Sequence, residues 1–200
     1  RETTMAGHCF ERRGLQGFFL LSLFFFVVPV CQAALPHGQK LPRSRAEKDT
    51  YYRQAKEHGY RARSAFKLLQ LDEEFGLLEN VTRAIDLCSA PGSWTQVLTN
   101  RLRGEGRVVV SIDIQKMKPV AGAVHIRGDI TARDTALRIW DALGRREADL
   151  IVCDGAPDVT GLHELDRHVG DSLVHAAVLV ACSMLREGGT LVAKRFGGGG

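Results

Sequence analysis

The stretch RAIDLCSAPGSWTQVL, residues 83–98, decides how the rest of the chain is read. Arg83 to Cys88 is a short, mostly apolar run that suits a buried strand, and Ser93 to Leu102 has helical character. Between them Ser89, Ala90, Pro91 and Gly92 make a sharp turn. A strand that turns through glycine into a helix leaves uncrowded backbone and free helix N–H groups at one end of a sheet. Open α/β sheets bind their ligands at that end. The dinucleotide fingerprint G-x-G-x-x-G is absent here, so the turn suits a nucleoside with an amino-acid tail better than a pyrophosphate. The plain alternative is an ordinary strand-to-helix connection.

Downstream, the alternation continues. Arg107 to Ile112 (RVVVSI) is a β-branched strand that ends at Asp113, and Val124 to Arg127 is a weaker one. Thr135 to Leu143 predicts a helix, and Asp149 to Cys153 (DLIVC) a strand that ends at Asp154. Asp171 to Leu185 predicts an apolar helix, followed by a turn at Gly188 and Gly189 and a fifth strand, Thr190 to Ala193. Upstream, Ala46 to Gly59 and Ser64 to Phe75 predict helices, the second with Ala65, Leu68, Leu69 and Leu71 as apolar positions. Strands that alternate with helices imply an α/β, doubly wound, mostly parallel sheet covered on both faces. The sequence stops at Gly197–Gly200, just past the fifth strand, so further C-terminal strands are expected beyond it.

Of the 200 residues, 44% are hydrophobic and 25% charged, enough for one domain with a sizeable core. The net charge of +4 says little; its distribution says more. From Arg43 to Lys67, eight basic residues face three acidic ones, and Tyr51, Tyr52 and Tyr60 lie among them. Such a segment suits phosphates and stacked bases, or is simply a solvated helical face. Five cysteines without a C-x-x-C pair argue against a disulfide framework or a zinc site, and Cys88 and Cys153 read as reduced core residues. Residues 1–40 differ from the rest. Arg12 and Arg13 precede an apolar run, Gly17 to Cys31, which resembles a secretory signal, or is upstream sequence foreign to the domain. The domain is therefore placed at 44–196, with 197–200 as a glycine tail, and in the cytoplasm unless that signal is genuine.

Ionisable residues close strand after strand. Asp113 is placed to accept hydrogen bonds from ribose hydroxyls, and Asp129 from an adenine amino group. Asp154 ends the fourth strand and Lys194 the fifth. One such carboxylate is usually a turn or cap residue. A lysine that ends an apolar strand either snorkels to water or has a function.

DLCSAPGSW at 86–94, GDI at 128–130, CDGAPDVTG at 153–161 and VAKRF at 192–196 resemble the FtsJ-like RNA ribose 2′-O-methyltransferases, as does YRARSAFKLLQLD at 60–72. The resemblance covers residues 47–196 and several long motifs in order. The wording DGAPDVTGLHELD is most similar to the eukaryotic branch that modifies the tRNA anticodon loop. It implies a Rossmann-like fold, S-adenosylmethionine as cofactor, tRNA as substrate, an accessory protein subunit and no stable membrane association. Ribosomal RNA is the alternative substrate. The family's Lys-Asp-Lys-Glu tetrad falls on Lys67, Asp154 and Lys194; its glutamate is expected after a later strand, which the sequence does not reach. Cofactor contacts fall on Gly92, Trp94, Asp113, Asp129 and Asp154.

These residue types suit the chemistry. A ribose 2′-hydroxyl is a poor nucleophile, and a partly desolvated lysine near other positive charge is a suitable base. The resemblance implies that role for Lys194, with Asp154 holding its ammonium group and Lys67 orienting the nucleotide. No metal-ligand cluster appears in the sequence, and the chemistry needs no metal. A nicotinamide-dependent oxidoreductase would carry the missing glycine fingerprint. A non-catalytic RNA-binding member of the same fold would have no use for the intact Lys67, Asp154 and Lys194.

Overall fold

The computed structural model describes residues 53–155 and 163–194, with the side chains of 163–168 left aside. The signal-like segment 1–40, most of the basic segment before Tyr60 and the glycine tail lie outside these residues. Residues 53–57 are helical and lead to Gly59, where the sequence predicts a helix end. There follow α1 (Ala65–Phe75), β1 (Arg83–Leu87), α2 (Ser93–Arg101), β2 (Val108–Asp113), β3 (Val124–Arg127), α3 (Arg133–Ala142), β4 (Ala148–Cys153), α4 (His163–Met184) and β5 (Leu185–Ala193).

The five strands form one sheet in the order β3-β2-β1-β4-β5, every pair parallel. The order reverses between β1 and its neighbours β2 and β4, so their C-terminal ends flank a switch point. Side chains alternate between two cores. Ile85 and Leu87 of β1, Val110 and Ile112 of β2 and Ile151 of β4 face Ile139 of α3 and Ala177, Val180 and Ala181 of α4. Ala84, Val109, Leu150 and Val152 point the other way, against Ala65 and Leu68 of α1 and Val97 and Leu98 of α2. Burial on both faces explains why the strands read as continuous apolar runs.

Two boundaries differ from the sequence expectation by more than two residues. Helix α4 begins at His163 rather than Asp171 and runs through Gly170, which is buried; burial offsets the helix cost of a glycine, about 1 kcal/mol. Strand β5 follows Met184 directly, and the predicted turn lies inside it. The pairing slips from Ala148↔Leu185 to Leu150↔Thr190, and Gly188 takes φ +73° within that bulge. Below the sheet, Asp149 holds the bulge in place. Its Oδ2 accepts from the N–H groups of Thr82 and Arg83 and from the Thr82 hydroxyl, while Oδ1 accepts from Arg186 Nε at 2.6 Å. Burial would raise the pKa of this carboxyl, but the hydrogen bonds outweigh it and hold the value below the usual range.

Candidate active site

The C-terminal ends of β1 and β4 and the starts of α1 and α2 line a small open cavity. Its walls include Asp86, Ser89, Ala90, Ser93, Trp94 and Asp154. Asp154 sits just past β4. Its Oδ1 lies 3.1 Å from Lys67 Nζ and 3.3 Å from Lys194 Nζ. Lys194 also donates to the Asp154 backbone oxygen at 3.2 Å, and its own N–H continues the β4–β5 ladder to Cys153 O. Three residues picked out at sequence level thus meet at one carboxylate, from the helix before the sheet and from two adjacent strands. All three side chains are a third exposed or less, so they meet in a partly desolvated place open to a substrate.

The start of α1 is held by α2. The Trp94 indole N–H donates to Ser64 O at 2.8 Å, and the Ser64 and Ser93 hydroxyls lie 2.7 Å apart. Lys67 follows one turn later. Trp94, expected as a cofactor contact, is 3% exposed and belongs mainly to the core under α1, although its edge lines the cavity.

Asp86 is fully enclosed. Burial pushes its carboxyl up to about 8, against a 2.6 Å hydrogen bond from the Thr95 hydroxyl. Asp113, also buried, accepts from Ala90 N–H and from Gln115 N–H, each at 2.7 Å. It therefore ties the β1 turn to the β2 turn as well as facing the cavity end of the sheet. Asp129 is exposed beyond β3, beside the Gly128 N–H that bonds Asp113 O. Its Oδ1 accepts from the Thr131 N–H and hydroxyl, which lower its pKa.

Gly92, expected as a cofactor contact, also answers to the chain's own packing. It takes φ +100° ahead of α2, and a Cβ there would lie 2.8 Å from Arg61 Nη1 and 3.1 Å from Val120 Cγ2. The space is filled by the chain's own packing. Arg61, grouped by sequence with a phosphate-facing cluster, has its guanidinium turned inward on backbone carbonyls; the contacts span 30 to 58 residues, which no local pattern could signal. Arg63 remains exposed. Cys88 and Cys153 are free thiols in contact, and that hydrogen bond together with burial pushes the Cys88 thiol up. Among the described residues no group of His, Cys, Asp or Glu is arranged to hold a metal.

The cavity brings the Asp154 carboxylate, already met by two ammonium groups, together with the buried Asp86 carboxyl and the hydroxyls of Ser64, Ser89 and Ser93. The chain is 54% identical over 156 residues to a human tRNA (cytidine(32)/guanosine(34)-2′-O)-methyltransferase, covering 78% of this chain and 47% of that protein. It is 41% identical over 155 residues to a ribosomal RNA large subunit methyltransferase E of Methanothrix thermoacetophila, covering 78% of this chain and 59% of that one. The chain spans about half the length of the first of these curated relatives. A crystal structure of a Plasmodium falciparum ribosomal RNA methyltransferase superposes with a TM-score of 0.62 at 25% identity, covering 70% of this chain and 80% of that one. The family profile described as FtsJ-like methyltransferase matches residues 60–200, a span that holds every side chain of the cavity just described, and the chain belongs to that family.

Proposed function

We propose that this protein transfers a methyl group from S-adenosylmethionine to a ribose 2′-hydroxyl in a tRNA anticodon loop. The observation that carries the reading is the meeting of Lys67 and Lys194 at Asp154, beside the cavity at the switch point. The residues fit the cofactor. Asp154 at the cavity suits a cationic group of it, the buried Asp86 adds a polar carboxyl beside it, and Asp113 suits its ribose. Asp129 is the acceptor offered to the adenine, and the turn at Gly92 and Trp94 forms the floor. When bound, S-adenosylmethionine supplies an electrophilic methyl group.

The protein's part is placement and proton handling. Lys67 orients the target nucleotide. Lys194 takes the proton of the 2′-hydroxyl, with Asp154 fixing its Nζ from both the side chain and the backbone oxygen. Since the displacement needs the oxygen in line, orientation supplies much of the rate. The greater identity to the tRNA enzyme than to the ribosomal RNA enzyme favours tRNA. An accessory protein subunit and a cytoplasmic setting belong to the same proposal. Among the described residues no helix is long and apolar enough to cross a membrane.

The test is methylation by the full-length protein, with its accessory subunit, of unmodified tRNA transcripts and of ribosomal RNA fragments, using tritiated S-adenosylmethionine and nucleoside analysis. The expected product is a 2′-O-methylated anticodon-loop nucleoside. Methylation confined to the ribosomal RNA, or none on either, overturns the assignment.

A further inference from the structure

Arg61 stands apart from the other basic residues of its segment. Its Nη1 donates to Pro91 O at 3.0 Å and to Lys118 O, and its Nη2 donates to Pro119 O at 2.8 Å. Its backbone N–H donates to Gln96 Oε1 at 2.8 Å, and the same amide donates from Nε2 to Gly59 O at 3.0 Å. One planar fork thus joins two turns that leave neighbouring strands, 88–92 after β1 and 114–120 after β2. Two further contacts stitch the same seam: Asp113 to Ala90 N–H, and the Ser89 hydroxyl to Met117 Sδ at 3.8 Å. The absence of a side chain at Gly92 makes room for the guanidinium.

We propose that Arg61 is a positioning residue of the cofactor cradle: its guanidinium latches the 114–120 turn onto Pro91 and presets the cradle's rim before the cofactor arrives. The inference rests on reading that cradle as the S-adenosylmethionine site. A guanidinium presents fixed donors in several directions at once, and an ammonium group of similar reach cannot reproduce the fork. A turn held in its bound shape loses less freedom when ligand binds, so affinity rises without any contact to the ligand. The same geometry takes Arg61 out of the phosphate-binding face, because its donors are already directed to carbonyls.

Arg61→Lys separates the possibilities, since it keeps the charge and breaks the fork. Three measurements are made on the full-length protein: hydrogen exchange of the 114–120 amides, calorimetry with S-adenosylhomocysteine, and the salt dependence of tRNA binding. In Arg61→Lys the 114–120 amides should exchange faster while those of β1 and β2 keep their rates. Affinity for S-adenosylhomocysteine should fall about tenfold, an ordinary size for coupling between a preset element and a site. Replacing Arg61 by alanine should leave the salt slope of tRNA binding unchanged, whereas Arg63→Ala should flatten it by about one unit. Wild-type exchange in Arg61→Lys overturns the latch, whether or not the protein binds the ligand. Faster exchange with affinity within about twofold of wild type would reduce Arg61 to a structural strut and overturns its role toward the cofactor. A flattened slope in Arg61→Ala would place the guanidinium on phosphate and overturns the proposal as well. If wild-type protein itself binds no S-adenosylhomocysteine, the functional reading fails, and hydrogen exchange still decides the latch.

Discussion

Lys67 and Asp154 are 87 residues apart in the chain and 3.1 Å apart in space, Nζ to Oδ1. Helix α1 brings the lysine down onto the end of β4, and α2 holds α1 there through Ser64 and Trp94. Each partner should therefore depend on the other. Lys67→Met and Asp154→Asn should each slow methyl transfer, and the double variant should lose less than the two effects combined. The expected coupling is about 0.5–3 kcal/mol, the range for groups in direct contact. Additive losses in single-turnover rates would mean that the contact has no part in turnover.

Lys194 is the proposed base. Lys194→Met keeps the packing of the stem and removes the ammonium group. Binding of S-adenosylhomocysteine and of tRNA should persist, and methyl transfer should fall by about 10²–10⁴-fold. A rate near wild type, assayed with tritiated cofactor on tRNA, would leave Lys194 as a structural partner of Asp154 only.

Asp113 faces two tasks. It holds Ala90 and Gln115 by their N–H groups, and it is offered to the cofactor's ribose. Asp113→Ala should weaken S-adenosylhomocysteine binding by about 1–3 kcal/mol, the cost of lost hydrogen bonds to a charged group. Calorimetry on folded variant protein checks this; equal affinity removes Asp113 from the cradle.

Asp149 predicts a pH effect on stability rather than on activity. Its folded-state pKa is depressed, so its stabilisation is fully present above the unfolded value near 3.8 and is lost as pH falls toward the folded value. Asp149→Ala should cost about 2–3 kcal/mol at neutral pH, in line with several hydrogen bonds to one carboxylate. The gap between variant and wild type should narrow below about pH 4, where the unfolded chain takes up the proton first. Urea unfolding at pH 7 and pH 3 measures it, and a gap that stays constant or widens in acid refutes the account.

Much of this architecture was legible beforehand because it is written locally. Strands β2 and β4 are runs of branched apolar residues closed by acidic ones, and β1 carries Asp86 beside its last residue, so both the parallel sheet and the row of strand-end residues follow from short windows. Asp154 and Lys194 end adjacent strands, which brings them together once the order is set. What escaped was long-range or overruled by packing. The fork of Arg61 closes over chain separations of 30 to 58 residues, and its acceptors are backbone oxygens that every sequence has. Trp94, a cofactor contact by resemblance, lines the cavity, and its indole N–H also holds Ser64 O, a second role that no short window signals. Gly188 reads as a turn before a strand, whereas the pairing of Leu185 with Ala148 absorbs it as a bulge.

The order of the elements in the chain has a consequence for the protein's birth on the ribosome. The residues proposed to hold the cofactor, Gly92, Asp113 and Asp129, emerge first, on strands and turns that pair among themselves. Asp154 follows, but strand β5 must emerge and dock against β4 before Lys194 is in place. A nascent chain halted before β5 would have most of its cradle formed and no lysine to take the proton. Under the proposed chemistry, methyl transfer therefore reports on the docking of β5 against β4, and a chain halted before it can hold the donor without spending it on RNA.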